Sequence, residues 1–245
     1  MTILHLSSRL RRLRLAALSL SLLSVPAFAQ SDAAIHAALA KIMPGLPANT
    51  PIIKTPYGGL FEVDYGSHIF YTDANSSFLI AGEIFDTKTG TNVTKARIEQ
   101  LRKVDWKTLP FQDSFKVVYG NGQRQIAVFE DPYCPYCHRM EGTLREISNV
   151  TLHVFLTPII RPESLPQARN VWCAPNRGKT WEGWMENQVQ PPKAAASCTD
   201  PLKANIALAE RLQISATPTL IFPDGSRIEG ALPKEVVEQR LASIK

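Results

Sequence analysis

The run Val128-Phe129-Glu130-Asp131-Pro132-Tyr133-Cys134-Pro135-Tyr136-Cys137-His138 decides the reading of this 245-residue chain. It continues the apolar piece begun at Gln125-Ile126-Ala127, so it closes a strand. Asp131-Pro132 then makes a turn, and a helix is expected from about Cys134 to Ile147. A cysteine that opens a helix places its sulfur against unpaired backbone N–H groups and the positive end of the dipole. Both favour the thiolate. A free thiol ionises near ~8.5, whereas cysteines in such motifs fall to roughly 3.5–7.5. Cys137 lies one helical turn later on the same face, where it can close a disulfide with Cys134. The chemistry this supports is thiol–disulfide exchange: Cys134 attacks a disulfide, and Cys137 or another thiol resolves the mixed disulfide.

The flanking sequence reads as α/β. Phe115-Lys116-Val117-Val118-Tyr119, the turn Gly120-Asn121-Gly122 and Gln125–Phe129 predict a hairpin. Leu152–Leu156 is the next strand, helical material fills parts of 163–213, Thr219–Phe222 is a strand, and Lys234–Ile244 a closing helix. Upstream, a helix over Ala33–Ile42 precedes a meander: Leu60–Val63, His68–Tyr71, Phe78–Ala81 and a piece at Ile84-Phe85, separated by turn residues. A unit of about 60 residues buries little surface on its own, so self-association through a sheet edge is expected. Between the two parts, Ile98, Leu101 and Val104 recur among charged residues and predict a connecting helix over Val93–Trp106.

The first 29 residues read as an export signal. Arg9, Arg11, Arg12 and Arg14 precede an apolar Leu15–Val25, and Ala27-Phe28-Ala29 is a small-x-small cleavage site. The apolar run falls short of the roughly 20 residues that span a bilayer. The chain carries +5; without the four arginines of this acid-free segment it carries +1. Its basicity is therefore a targeting feature. No basic run with interleaved aromatics remains, and no nucleic-acid partner is expected.

All four cysteines, at 134, 137, 173 and 198, follow the signal, as suits an oxidising compartment. They permit three pairings, and the sequence does not choose, although spacing favours 134 with 137 and 173 with 198. Zinc would want a second Cys or His pair at ligand spacing, so no metal is expected. Cys134-x-x-Cys137-His138 also matches c-type haem attachment, with Met140 or Met185 opposite His138. That is the competing reading. No cofactor is expected under the first one. His36, His68 and His153 have no partner pattern, and Trp172, Trp181 and Trp184 read as packing.

Ala216-Thr217-Pro218-Thr219-Leu220-Ile221-Phe222 puts a proline at the opening of an apolar strand, which alone would be a strand-edge proline. The order of strand, C-x-x-C helix, strand, helices and Thr-Pro-strand-turn-strand-helix resembles the thioredoxin superfamily. More closely, the chain resembles the DsbC/DsbG family of periplasmic disulfide isomerases over nearly all of residues 30–245. Gly59–Val63, Ile69–Asp73, Phe78–Gly82 and Asn92–Thr94 carry this at one end, Val128–His138 and Thr217-Pro218 at the other.

The resemblance implies an α+β, cystatin-like N-terminal dimerisation domain over 30–91, a linker helix over 92–110 and an α/β thioredoxin-like catalytic domain over 111–245. It implies a V-shaped homodimer that acts on disulfide-bonded protein substrates and is kept reduced by a DsbD-type membrane reductase. Cys134 and Cys137 would be catalytic, and Thr217 and a cis Pro218 would bind substrate backbone. Cys173–Cys198 would be a structural disulfide, as on the DsbC side. The Pro135-Tyr136 spacer and Asp131-Pro132 resemble DsbG instead, which leaves isomerase and specialised reductase both open. Thioredoxin's buried acid, six residues before the first cysteine, is replaced by Val128, so proton transfer from Cys137 is expected to lack that helper. A DsbA-like oxidase and a chaperone-like binder remain as further alternatives.

Overall fold

The computed structural model describes residues 27–66 and 68–244, with side chains from Asp32 onward. Most of the expected export signal, up to residue 26, lies outside the described residues. The chain divides into two compact units, Met1–Val63 with Phe70–Ile80 and Asp64–Ile69 with Ala81–Lys245.

In the first unit, α1 (Ala27–Leu39) buries Ile35 and Leu39. A three-stranded sheet runs β1-β2-β3 (Ile52–Lys54, Phe61–Tyr65, His68–Thr72), with β1 antiparallel to β2 in the register Ile52↔Val63. The expected strand over Phe78–Ala81 is reduced to a single bridge, Tyr71↔Ile80. The Thr72 hydroxyl takes the Phe78 carbonyl at 2.6 Å, and Asp73 accepts from the Ser77 backbone N–H and hydroxyl. These local bonds close a turn in place of a ladder.

From Ala81 the second unit continues with a short pair, β4 (Phe85–Asp86) and β5 (Thr91–Asn92), followed by α2 (Val93–Leu101), which Asn92 caps by accepting from the Lys95 N–H at 2.9 Å. The predicted connecting helix stops at Leu101. The Val104 N–H turns to the Gly225 carbonyl at 2.9 Å, so it cannot continue the helical ladder. Gly225 has φ +80, and a Cβ there would lie 2.4 Å from the Val104 carbonyl oxygen, so only glycine fits.

The main sheet has order β10-β9-β7-β8-β6: Arg227–Glu229, Thr219–Ile221, Arg124–Glu130, Val150–Leu156 and Phe115–Tyr119. Strands β7 and β8 are parallel and joined by α3 (Pro135–Arg145), while β6 pairs antiparallel with β8. The predicted β6–β7 hairpin is therefore corrected. β8 inserts between the two strands, because the crossover through α3 needs a parallel neighbour for β7 and offers β6 a partner one place further out.

Alternation along the strands makes two cores. Ile126 and Val128 of β7 and Val150, Leu152, Val154 and Leu156 of β8 pack on one face with Cys134, Cys137, Met140 and Leu144. Ala127, Phe129 and Phe155 pack on the other with Leu208 and Ala209 of α6 (Leu202–Arg211), the Phe129 and Phe155 rings stacked at 4.8 Å. Each fully buried side chain of this size contributes about 1.5–3 kcal/mol. His153 is buried with its Nε2 2.9 Å from Gln125 Oε1 and its ring 4.5 Å from Phe111, remote from the cysteines in sequence and facing the second core.

Between β8 and β9 the chain forms α4 (Ser164–Trp172), α5 (Arg177–Asn187) and α6, and α7 (Lys234–Ser243) closes it. Trp172, Trp181 and Trp184 are all buried in the first core. Cys173, at the end of α4, is bonded to Cys198, and Arg169 holds the same loop through Asp200 at 3.1 Å and the Cys198 carbonyl at 2.6 Å. Closing a loop over a sequence separation of 25 is worth about 3 kcal/mol by chain entropy. The double variant Cys173→Ala/Cys198→Ala is expected to lose that much in urea unfolding. An unchanged midpoint would mean that Arg169 alone secures the loop.

Candidate active site

Cys134 is the N-cap of α3, with extended backbone (φ −76, ψ 117) and Pro135 in the first helical turn. The buried stripe of α3 is Cys137, Met140, Glu141 and Leu144, spaced by three and four, which turns Cys137 inward one turn below Cys134. Both thiols are free. Cys134 is 2 % exposed and Cys137 0 %.

The Cys134 thiol is lowered to about 5. The largest cause is the hydrogen bond from Cys137, which outweighs the burial that works against it; the Thr217 side chain and the backbone N–H groups of Cys137 and Tyr136 add to it. As a thiol, Cys134 donates to the Thr217 carbonyl at 3.1 Å. That single bond favours the protonated form and is outnumbered by the donors that favour the thiolate. The Thr217 hydroxyl is buried and has no other partner, which leaves it free for the sulfur. Cys137 moves in the opposite direction: burial, its bond to Cys134 and the charge of Glu130 all push its thiol up. One sulfur is thereby ionised and the other kept protonated.

The Thr217–Pro218 peptide is cis, and both residues are buried. The structure brings Thr217, of the expected substrate-binding pair, against the sulfur of Cys134, with Pro218 next in the chain. It places Cys173 and Cys198 elsewhere, at the end of α4 and in the loop between α5 and α6.

Two features escaped the sequence reading. Asp131 is fully buried: one carboxylate oxygen accepts the Tyr133 N–H and the Ser164 hydroxyl at 2.8 Å each, the other the N–H groups of Ile159 and Ile160 at 2.8 and 2.9 Å. It fixes the loop that launches α3. Only the turn propensity of Asp-Pro hinted at this. The second is a buried acid pair. Val128 is apolar, as read, but Glu130 lies two residues on along the same strand face and is 0 % exposed, and neither carboxyl oxygen has a geometric partner. Glu141 on α3 is 2 % exposed and accepts from Trp181 Nε1 at 2.8 Å. Burial raises both carboxyls, Glu130 well above the usual range with Glu141 and Cys134 adding to it. The position of Val128 holds no acid, and the acids near Cys137 come instead from Glu130 and Glu141. The inward parity of Glu130 was the available signal.

His138 is half-buried. Its Nδ1 lies 2.7 Å from the Met185 carbonyl and its Nε2 3.1 Å from the Pro132 carbonyl. Each ring nitrogen thus faces a carbonyl oxygen, to one of which the neutral ring can donate, and Met140 sulfur accepts the Leu232 N–H at 3.4 Å. Neither residue is poised to hold a haem iron. Trp184 Nε1 donates to the same Pro132 carbonyl at 2.6 Å, and Arg161 stacks 3.5 Å over the Tyr133 ring.

Residues 111–245 match the family of thioredoxin-like domains, which sets the class: a thioredoxin-like thiol–disulfide oxidoreductase. Residues 26–95 match the family described as the disulfide bond isomerase protein N-terminal domain. The probable thiol:disulfide interchange protein DsbC of Bordetella pertussis is 40% identical over 192 residues, covering 78% of this chain and 68% of the relative. The thiol:disulfide interchange protein DsbC of Escherichia coli K12 is 26% identical over 221 residues, covering 87% and 89%. The crystal structure of a disulfide interchange protein from Neisseria gonorrhoeae superposes with a TM-score of 0.52 at 33% identity, covering 55% of this chain and 96% of that one. The chain belongs to the DsbC family of thiol:disulfide interchange proteins. No described helix is long and apolar enough to cross a membrane.

Proposed function

We propose that the protein is a periplasmic disulfide isomerase or reductase that repairs misoxidised exported proteins through Cys134 and Cys137. The observation that carries this reading is the opposite tuning of the two thiols within one helical turn. Cys134 attacks a wrong disulfide in a client. The leaving client thiol can then attack another client disulfide, and the thiol freed there attacks the mixed disulfide and expels the Cys134 thiolate, which yields isomerisation; or Cys137 can displace the client, which yields reduction. The Thr217–Pro218 segment, against the Cys134 sulfur, would receive extended client backbone. Residues 1–29 would direct export, 30–91 would form the dimerisation domain, 92–110 the connection and 111–245 the catalytic domain. A homodimer and a DsbD-type membrane reductase complete the proposal, and Cys173–Cys198 has a structural part only.

Cys137→Ser removes the intramolecular escape while leaving Cys134 able to attack. It is expected to accumulate mixed disulfides with exported clients, seen as thiol-sensitive adducts on non-reducing gels. A variant that traps none would overturn Cys134 as the attacking thiol.

A further inference from the structure

Ile126, Val128 and Glu130 alternate onto the face of β7 that packs beneath α3, and Cys137, Glu141 and Leu144 line the face of α3 turned toward it. Glu130 thus enters from the sheet and Glu141 from the helix, four residues below Cys137. Two ionised carboxyls at such a place would repel, and Glu130 would have no donor at all. A single shared proton removes both difficulties. Glu130 then donates to Glu141, whose carboxylate also receives Trp181 Nε1–H.

The surroundings set the charge of the pair. From α3 it faces Cys134, Cys137 and Arg145; from α5, Trp181 and Glu182; from β6, Tyr119, whose phenol is pushed up by burial and by Glu141 and Glu182. Arg145 is drawn to Glu186 at the surface. Among these groups, Arg145 is the cation. Arg145 and the Trp181 N–H favour one negative charge, on Glu141, and Arg145 is already paired with Glu186, so a second charge on Glu130 would have no donor.

We propose that Glu130 and Glu141, holding one proton between them, are the acceptor for the proton of Cys137 when it resolves the mixed disulfide. The inference rests on Cys134 and Cys137 acting as proposed above. At rest the negative charge of the pair holds Cys137 as a thiol and leaves ionisation to Cys134. During resolution the Cys137 sulfur attacks the Cys134 sulfur and loses its proton to the pair. The Cys134–Cys137 bond forms, and the bond from Cys134 to the client sulfur breaks. Its electron pair leaves on the client thiolate, which takes a proton from solvent. The client is reduced by two electrons and the protein oxidised by two. The pair does at this position what the residue at Val128 cannot.

The test follows the resolving step directly, by acid-quench of the mixed disulfide formed with a disulfide-bonded peptide. Glu130→Gln keeps shape and removes the acceptor. It should slow resolution at pH 7 by at least about tenfold and make the remaining rate climb with pH, whereas the unsubstituted protein should be nearly flat around neutrality. Glu130→Asp should recover part of the rate. Formation of the mixed disulfide by Cys134 serves as the folding control, since that thiol is already ionised at pH 7. The unsubstituted protein gives a second readout: infrared difference spectra between reduced and oxidised forms should show a buried protonated carboxyl that responds to the redox state of the cysteines. An unchanged resolution rate and pH profile in Glu130→Gln, or fully ionised carboxyls at pH 7, would overturn the proposal even where Cys137→Ser traps clients. Failure of Cys137→Ser to trap would instead overturn the reading beneath it.

Discussion

Alkylation of the reduced protein at Cys134 should rise with a midpoint near pH 5, and Cys134→Ser should abolish disulfide exchange altogether. At neutral pH such a sulfur is nearly all thiolate, against a few per cent for a free cysteine, a gain of about thirtyfold in nucleophile. The order of causes can be tested on the same curve. Cys137→Ala removes the largest contribution and should raise the midpoint most; Thr217→Val removes the hydroxyl alone and should raise it less. A midpoint at 8 or above in the unsubstituted protein would refute this account of the site. The ionisation also links stability to redox state. The folded-state value is depressed, so the reduced protein gains stability that is fully present above the pKa of an unfolded thiol and is lost as pH falls toward 5. The oxidised protein has no such gain. The Cys134–Cys137 disulfide is therefore expected to be readily reduced, and the margin between reduced and oxidised unfolding midpoints should shrink on acidification.

Trp181→Ala is expected to cost about 3–5 kcal/mol, read from the urea midpoint, because Trp181 is fully buried in the main core. Part of that loss is polar. Trp181 Nε1 is a donor to Glu141, and Trp181→Phe, which keeps most of the volume, should still cost about 1–3 kcal/mol through the buried carboxyl left short of a donor. The two contributions separate by pH. Glu141 is raised by burial in the folded state, so its contribution to stability is present below the unfolded carboxyl value and declines as pH rises through the folded one. Losing the indole donor raises it further. The cost of Trp181→Phe should therefore grow between mildly acidic and alkaline pH. A cost independent of pH would show that the indole contributes packing alone.

Much of the site was open to a reader of the sequence because its chemistry is local. A helix opening at Cys134 and a second cysteine three residues later are statements about neighbouring residues, and turn chemistry at Asp131-Pro132 and Pro135 enforces them. The same holds for the strands Thr219–Ile221 and Val150–Leu156 and the closing helix Lys234–Ser243, whose patterns are short-range. The expected hairpin at Gly120–Gly122 failed because strand partners are chosen across the sheet, and β8 competes for both β6 and β7. The surroundings of His138 were hidden for a similar reason: its two carbonyl neighbours belong to Pro132 and Met185, one of them 47 residues away.

By itself, the sequence determined the family, and it supplied the expectations of a reactive pair, an export-type leader and a two-part organisation, all of which rest on residues adjacent in the chain or on matched order. Tertiary structure alone decided which groups tune those sulfurs. Thr217 reaches Cys134 across 83 residues, and the acid beside Cys137 comes from Glu130 and Glu141, on a strand and a helix that meet only when packed. Electrostatics in a buried site depends on distance and desolvation, and neither is written along the chain.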